Sequence, residues 1–274
     1  RHPNNVIRLD KARSAPGDTD TDNPYTRASA DFRQWLEQGV LIQDKIPNFY
    51  LTSVKFTVHG REITRFGLIG AVRLESFESG VILPHEETFS KVKSERLELM
   101  KACHANFSHI FSIYSDHANI LATLKAEAAR KKPDAEFTDD SGHFHRMWIV
   151  SEPRICRQVS DALKERRLFI ADGHHRYETA LNYREWVRAN TPDFDDNHPA
   201  NFIMMYLCAV EDEGLIILPT HRLLPQVSQS ARSRLLDDAR AYFDIERFEH
   251  GAAGGEAARQ QLNESMHRHR DDHI

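Results

Sequence analysis

Cysteine is scarce in this chain of 274 residues: Cys103, Cys156 and Cys208 stand far apart, with no CxxC spacing. Neither a disulfide framework nor a zinc knuckle is suggested, and the three read as small buried hydrophobes. Long apolar runs are missing as well. None approaches the roughly 20 residues that a membrane-spanning helix needs, and no signal-peptide pattern opens the sequence. There is no GxxxxGK[ST] loop and no GxGxxG fingerprint, so any nucleotide must be held by another fold. HExxH is absent too, because Phe89 stands four residues after His85 where the second imidazole would be. The formal net charge of -5, with both signs scattered along the chain, argues against a nucleic-acid groove. A cytoplasmic setting without membrane partners is the expectation. The sequence opens on Arg1 rather than methionine and ends at Ile274 in a His/Arg/Asp-rich run, so missing residues at both ends are also expected.

What is present is enough for a core, since 40% of the residues are hydrophobic. Residues 1–25 carry no clear period and read as irregular. Phe32, Trp35 and Leu36 recur at helical spacing before Gly39, which gives a first helix over Thr26 to Gln38. Asn48 to Val58 and Glu62 to Leu74 form a hairpin through His59-Gly60. Helices are predicted from Lys91 to Asn106, Ala118 to Lys131 and Pro153 to Arg166, and strands over His109 to Ser115, His143 to Val150 and Leu168 to Ala171. A second hairpin is predicted from Phe202 to Val210 and Leu215 to Leu218, followed by helices over Ala231 to Phe243 and Glu256 to His267. Without strict βαβ alternation the fold class is α+β, with mixed or antiparallel sheets and flanking helices. The organisation expected is an irregular segment 1–25, an α+β region 26–150 and a second one 151–274, the two regions open to being one continuous domain.

The chemistry concentrates where apolar runs stop. Arg167 to Ala180 reads as strand, tight turn and helix start, and Asp172-Gly173-His174-His175-Arg176 fills the turn. The first amides of a helix point outward without partners and carry the positive end of the helix dipole, so this turn is a natural phosphate seat. The plainer alternative, that Asp172 caps the helix and the histidines are solvated, stays open. Two further clusters follow apolar strand residues in the same way, His85-Glu86-Glu87-Thr88 and Thr220-His221-Arg222, and one shared pocket would explain all three. His143 and His145 lie on one face of a predicted strand and could bind a metal, although a solvated pair is the commoner case. Cys103-His104 does not make a nucleophile and base, since neighbours on a helix point in different directions.

Ile170-Ala-Asp-Gly-His-His-Arg-Tyr177, taken with Gly39 to Gln43, Gly80 to Thr88 and Leu218 to Arg222, resembles a bacterial family known as a domain of unknown function, from about Thr26 onward. The DGHHR-type segment in turn looks like that of archaeal free-serine kinases of the ParB/sulfiredoxin superfamily. That resemblance implies a ParB/sulfiredoxin-like core acting as a Mg²⁺-assisted phosphotransferase on a small hydroxyl compound, free L-serine first, with a nucleotide or pyrophosphate as donor. It implies Glu86 as general base, backbone from Gly173 to His175 around the phosphate, and His174, His175 and Arg176 as charge partners. Asp172 would hold Mg²⁺ or the substrate hydroxyl. His85, Thr88, Lys91 and Arg222 are weaker substrate contacts. A sulfiredoxin role is disfavoured by His174 where a reactive cysteine is expected, and a partition-protein role by the acidic balance and the lack of a helix-turn-helix. The rival is a non-catalytic nucleotide-binding regulatory module, which needs the phosphate seat but not Glu86. Function does not follow from fold kinship alone.

Overall fold

Apolar alternation along the chain resolves into one sheet. A computed structural model describes residues 2–58, 60–87, 90–218, 223–249 and 255–269, with the side chains of 90–94 and 267 outside that description. The sequence hairpin is present as β1 (Phe49–Val58) and β2 (Arg61–Arg73), paired antiparallel with Leu51 opposite Leu68. β3 (Ile82–Leu83), β4 (Ile110–Tyr114), β5 (Ala135–Thr138), β6 (Phe144–Val150), β7 (Leu168–Asp172) and β8 (Phe202–Ala209) complete an eight-stranded mixed sheet. Its order is β3-β7-β4-β8-β2-β1-β6-β5. β3 runs parallel to β7 and β4 parallel to β8, while the other pairings are antiparallel. Strands from both sides of residue 150 therefore share a single hydrogen-bonded layer.

Helices α1 (Ile7–Asp10), α2 (Pro24–Glu37), α3 (Ser90–Cys103), α4 (Ile120–Ala128), α5 (Pro153–Lys164) and α6 (His174–Asn190) flank that sheet. The N-terminal segment is largely irregular, but Leu9 on α1 is fully buried and Asp10 pairs with Arg96 at 2.6 Å. α2 starts on a capping box: the Asn23 side chain accepts from the Thr26 amide, and Thr26 Oγ1 accepts from the Asn23 amide. The main core joins sheet residues Leu51, Leu68, Ile110, Ile170 and Met205 to Leu124 of α4, Val159 of α5 and Tyr177 and Ala180 of α6. Each such apolar side chain contributes about 1.5–3 kcal/mol on full burial.

The second hairpin expected from the sequence does not form. β8 lies between β4 and β2, and Leu215 to Leu218 is irregular. The acidic turn is pinned instead. Asp212 Oδ2 accepts from the Phe66 amide at 2.7 Å, Asp212 Oδ1 accepts from Gly214 at 3.0 Å, and a Cβ on Gly214 would collide with the backbone of Thr64 and Arg65. The chain is thus fastened against β2 before it can turn back along β8.

The chain divides into two compact units, residues 1–217 and 218–274. The second contains α7 (Gln229–Ala239) and α8 (Glu256–Arg268), with Ser265 Oγ donating to Glu246 at 3.1 Å. No helix among the described residues is long and apolar enough to cross a membrane.

Candidate functional site

Two of the three strand-end clusters meet. β3 and β7 are parallel neighbours, with Ile82 opposite Leu168 and Leu83 opposite Phe169, so both chains leave the sheet at the same end. Pro84 to Glu87 follows one strand and Gly173 to Arg176 the other. This is the usual place for ligand-binding loops on a sheet with parallel strands.

Local backbone chemistry shapes the second loop. Gly173, at the N-terminus of α6, has φ +102°, a left-handed value that favours glycine. A Cβ there would also meet the Arg176 guanidinium at 2.9 Å. Gly173 has no side chain with which to cap α6, and the first amides of a helix have no partner within the helix itself. Arg176 folds back over the turn, donating to Asp172 Oδ2 at 2.5 Å and to the His109 carbonyl. Asp172 is 73% exposed, so this ion pair is weak and its carboxylate is accessible to solvent.

His174 is 1% exposed and fixes the first loop against the second. Its Nε2 accepts from the His85 backbone amide at 3.1 Å, which requires that nitrogen to be unprotonated and places the ring proton on Nδ1. Nδ1 lies 3.0 Å from Glu86 Oε1, but the approach is bent, and Nδ1 is buried without a hydrogen bond of good geometry. Burial depresses the His174 pKa; Glu86 opposes the shift and His85 reinforces it. A neutral imidazole follows, and the amide contact and the depressed pKa agree on it. The His85 ring packs edge-on against His174 at 4.5 Å, and its Nε2 lies 3.4 Å from the Ala171 carbonyl. Glu86 itself remains 51% exposed. The cluster therefore presents an accessible carboxylate backed by a buried neutral imidazole, beside the glycine-led N-terminus of α6 and a guanidinium.

More distant packing holds these loops in place. Tyr177 is fully buried, and its hydroxyl donates to the Glu75 carbonyl at 2.7 Å while accepting from the Glu75 amide at 2.9 Å. Its ring stacks on Phe77 at 5.2 Å, and Arg184 donates to the Leu74 carbonyl at 2.9 Å. α6 is thereby tied to the segment that leads into β3, so His85-Glu86 and His174 are positioned by one rigid element.

His175 makes an interaction of its own in the first turn of α6. Lys91 is on α3, with its side chain outside the described residues, and Thr88 and the Thr220-His221-Arg222 cluster lie outside them altogether. Sequence reasoning missed His109. It precedes β4, where Phe111 stands opposite Asp172, and besides its carbonyl contact to Arg176 its imidazole pKa is lowered by burial and by Arg176. No spacing links it to the motif; only the pairing of β4 with β7 does.

For a hard cation the donor chemistry is suitable, since Mg²⁺ takes one or two carboxylates, keeps several waters and shares phosphate oxygens. The exposed carboxylate of Asp172 meets that requirement. No curated protein and no solved structure matches the chain. One family model does, over residues 1–271, and the chain belongs to that family, described as Protein of unknown function (DUF1015).

Proposed function

We propose that this protein transfers a phosphoryl group to the hydroxyl of a small compound, free L-serine first, on a ParB/sulfiredoxin-like core. The observation that carries the reading is the half-exposed Glu86 carboxylate held beside buried, neutral His174 at the glycine-led start of α6. A base for an alcohol must be ionised, reachable and oriented. His174 lies behind Glu86, with Nδ1 3.0 Å from Oε1, and the half-exposed carboxylate keeps an outer side open to substrate.

In this reading the acceptor hydroxyl oxygen attacks the terminal phosphorus, the phosphorus–oxygen bond to the leaving phosphate breaks, and the hydroxyl proton goes to Glu86. Amides from Gly173 to His175 hold phosphate oxygens, and Gly173 lets the backbone approach them. His175 and Arg176 offset the charge, whereas His174, buried and neutral, holds the His85 backbone beside the site instead of carrying charge to the phosphate. Positioning and charge compensation are the main things a protein supplies in phosphoryl transfer. Asp172 would hold Mg²⁺, which would supply charge compensation to the transferring phosphoryl group. His85 lines the acceptor side, and Thr88 and Lys91 are candidates for the acceptor carboxylate or the donor phosphates. The donor is a nucleotide or pyrophosphate. A cytoplasmic setting goes with this reading, because such donors and free amino acids are pooled there.

The regulatory alternative is favoured by one feature, the engagement of Asp172 with Arg176. A sensor can use that pair as a latch released by phosphate. A coupled assay of the full-length protein with ATP, ADP and pyrophosphate against a panel of small hydroxyl compounds separates the two. Donor consumption dependent on serine or a close analogue supports the kinase; saturable donor binding with no transfer to any hydroxyl supports the sensor.

A further inference from the structure

We infer that the tip of the β5–β6 hairpin is a binding site for a divalent transition metal of the zinc class, held by Asp139, His143 and His145. This site is independent of the phosphotransferase reading and belongs to a different part of the sheet, since β5 forms the edge opposite β3. It is the one group of three such donors within mutual reach among the described residues, with all its ligand atoms within 4.8 Å of one another.

The geometry is close to that of a filled site. Asp139 Oδ2 lies 3.0 Å from His145 Nε2 and 3.4 Å from His143 Nδ1. Around an ion bonded to each donor at about 2.1 Å, neighbouring ligand atoms stand roughly 3.0–3.4 Å apart, the edges of an octahedron or a tetrahedron. An ion can therefore enter with small side-chain shifts, taking the place of the proton that His145 Nε2 donates to Asp139, which is released to solvent.

The donors are also pre-aimed. Asp139 Oδ1 accepts from the amides of Ser141 and His143, both at 2.9 Å, which turns Oδ2 toward the two rings. The turn is closed by the Asp139 amide donating to the His143 carbonyl and the Gly142 amide to the Asp139 carbonyl, each at 3.0 Å, with Gly142 at φ +81°. The His145 ring stacks on Phe137, its cross-strand partner, at 4.7 Å and 3°, and His143 packs edge-on against Phe56 at 5.9 Å. Outer groups that fix ligand orientation in this way raise metal affinity. Two imidazoles and one carboxylate suit Zn²⁺, Ni²⁺ or Cu²⁺ and not Mg²⁺ or Ca²⁺, which prefer oxygen alone. Three protein donors leave at least one position for water or an exogenous ligand. The three side chains are only partly exposed, so an ion would rest against the hairpin with its open position toward solvent.

The test is calorimetric titration of chelator-treated full-length protein with ZnCl₂, followed by histidine-ring NMR of the same sample. One saturable equivalent is expected, with the rings of His143 and His145 shifting while those of His85 and His174 stay. Asp139→Ala and His145→Ala should each weaken uptake by at least the roughly 10- to 100-fold that loss of a mere outer-shell partner costs, and His174→Ala should leave it intact. Failure of the parent protein to take up Zn²⁺, or uptake that leaves the His143 and His145 resonances unmoved, overturns the assignment. The NMR readout needs only the parent, so a variant that does not fold leaves the test decisive.

Discussion

The backbone amide of His85 donates to Nε2 of His174 at 3.1 Å, joining residues 89 positions apart in the chain and deciding which imidazole nitrogen carries the proton. A protonated His174 would set an N–H against that amide, so the folded protein prefers the neutral ring. Together with burial this lowers the folded-state pKa below the ordinary histidine value of about 6.5. The sign follows. The stabilisation is fully present above the unfolded-state pKa and is lost as pH falls from there through the folded-state pKa, because the unfolded chain takes up the proton first. Two-dimensional ¹H–¹⁵N NMR of the ring should show the Nδ1–H tautomer at pH 7 and a midpoint below the ordinary histidine value of about 6.5. An Nε2–H tautomer, or a midpoint above that ordinary value, contradicts the arrangement.

Gly173→Ala should be destabilising out of proportion to one methyl group. It forces a left-handed φ of +102° on a residue with a side chain and drives Cβ into the Arg176 guanidinium. A loss of about 1–3 kcal/mol in urea unfolding is expected. A change under a few tenths of a kcal/mol means that the turn relaxes at little cost.

Tyr177→Phe keeps the ring and removes a hydroxyl that satisfies both backbone groups of Glu75. Buried backbone groups left unpaired cost about 1–3 kcal/mol each when no water replaces the partner. The predicted loss of stability is in that range, accompanied by faster amide exchange at Glu75 and His85. Parent-like exchange at both would show that α6 does not position the β3 loop.

Much of the site was legible because its signals are local. The apolar run Leu168 to Ala171, the glycine after Asp172 and the following helical pattern sit within a few residues of one another, and the structure has strand, turn and helix there. The parallel pairing of β3 with β7 was not legible, since a two-residue strand carries no period. β5 was missed because Ala135 to Thr138 is exposed at each residue and has no apolar alternation to report. Asp139 went unnoticed beside His143 and His145 because it lies in the turn, where folding rather than strand spacing brings it to them. The predicted second hairpin failed for the converse reason: Leu215 to Leu218 reads as a strand locally, but Asp212 and Gly214 fasten the preceding turn to β2.

Arg176→Ala should weaken phosphate or pyrophosphate binding by roughly tenfold or more, the loss expected for one hydrogen bond to a charged group. Calorimetry at low and moderate salt checks this, and the parent's affinity should fall with salt while the variant's falls less. Equal affinity in the two proteins places the anion elsewhere.

The most direct test is turnover of the Glu86→Gln variant, which preserves the shape beside His174 and removes the proton acceptor. With serine and the donor that the parent protein uses, kcat should fall by roughly 10²–10⁴ while donor affinity stays within a few-fold of the parent. A Glu86→Gln protein that phosphorylates serine at the parent rate contradicts the assignment of Glu86 as the base.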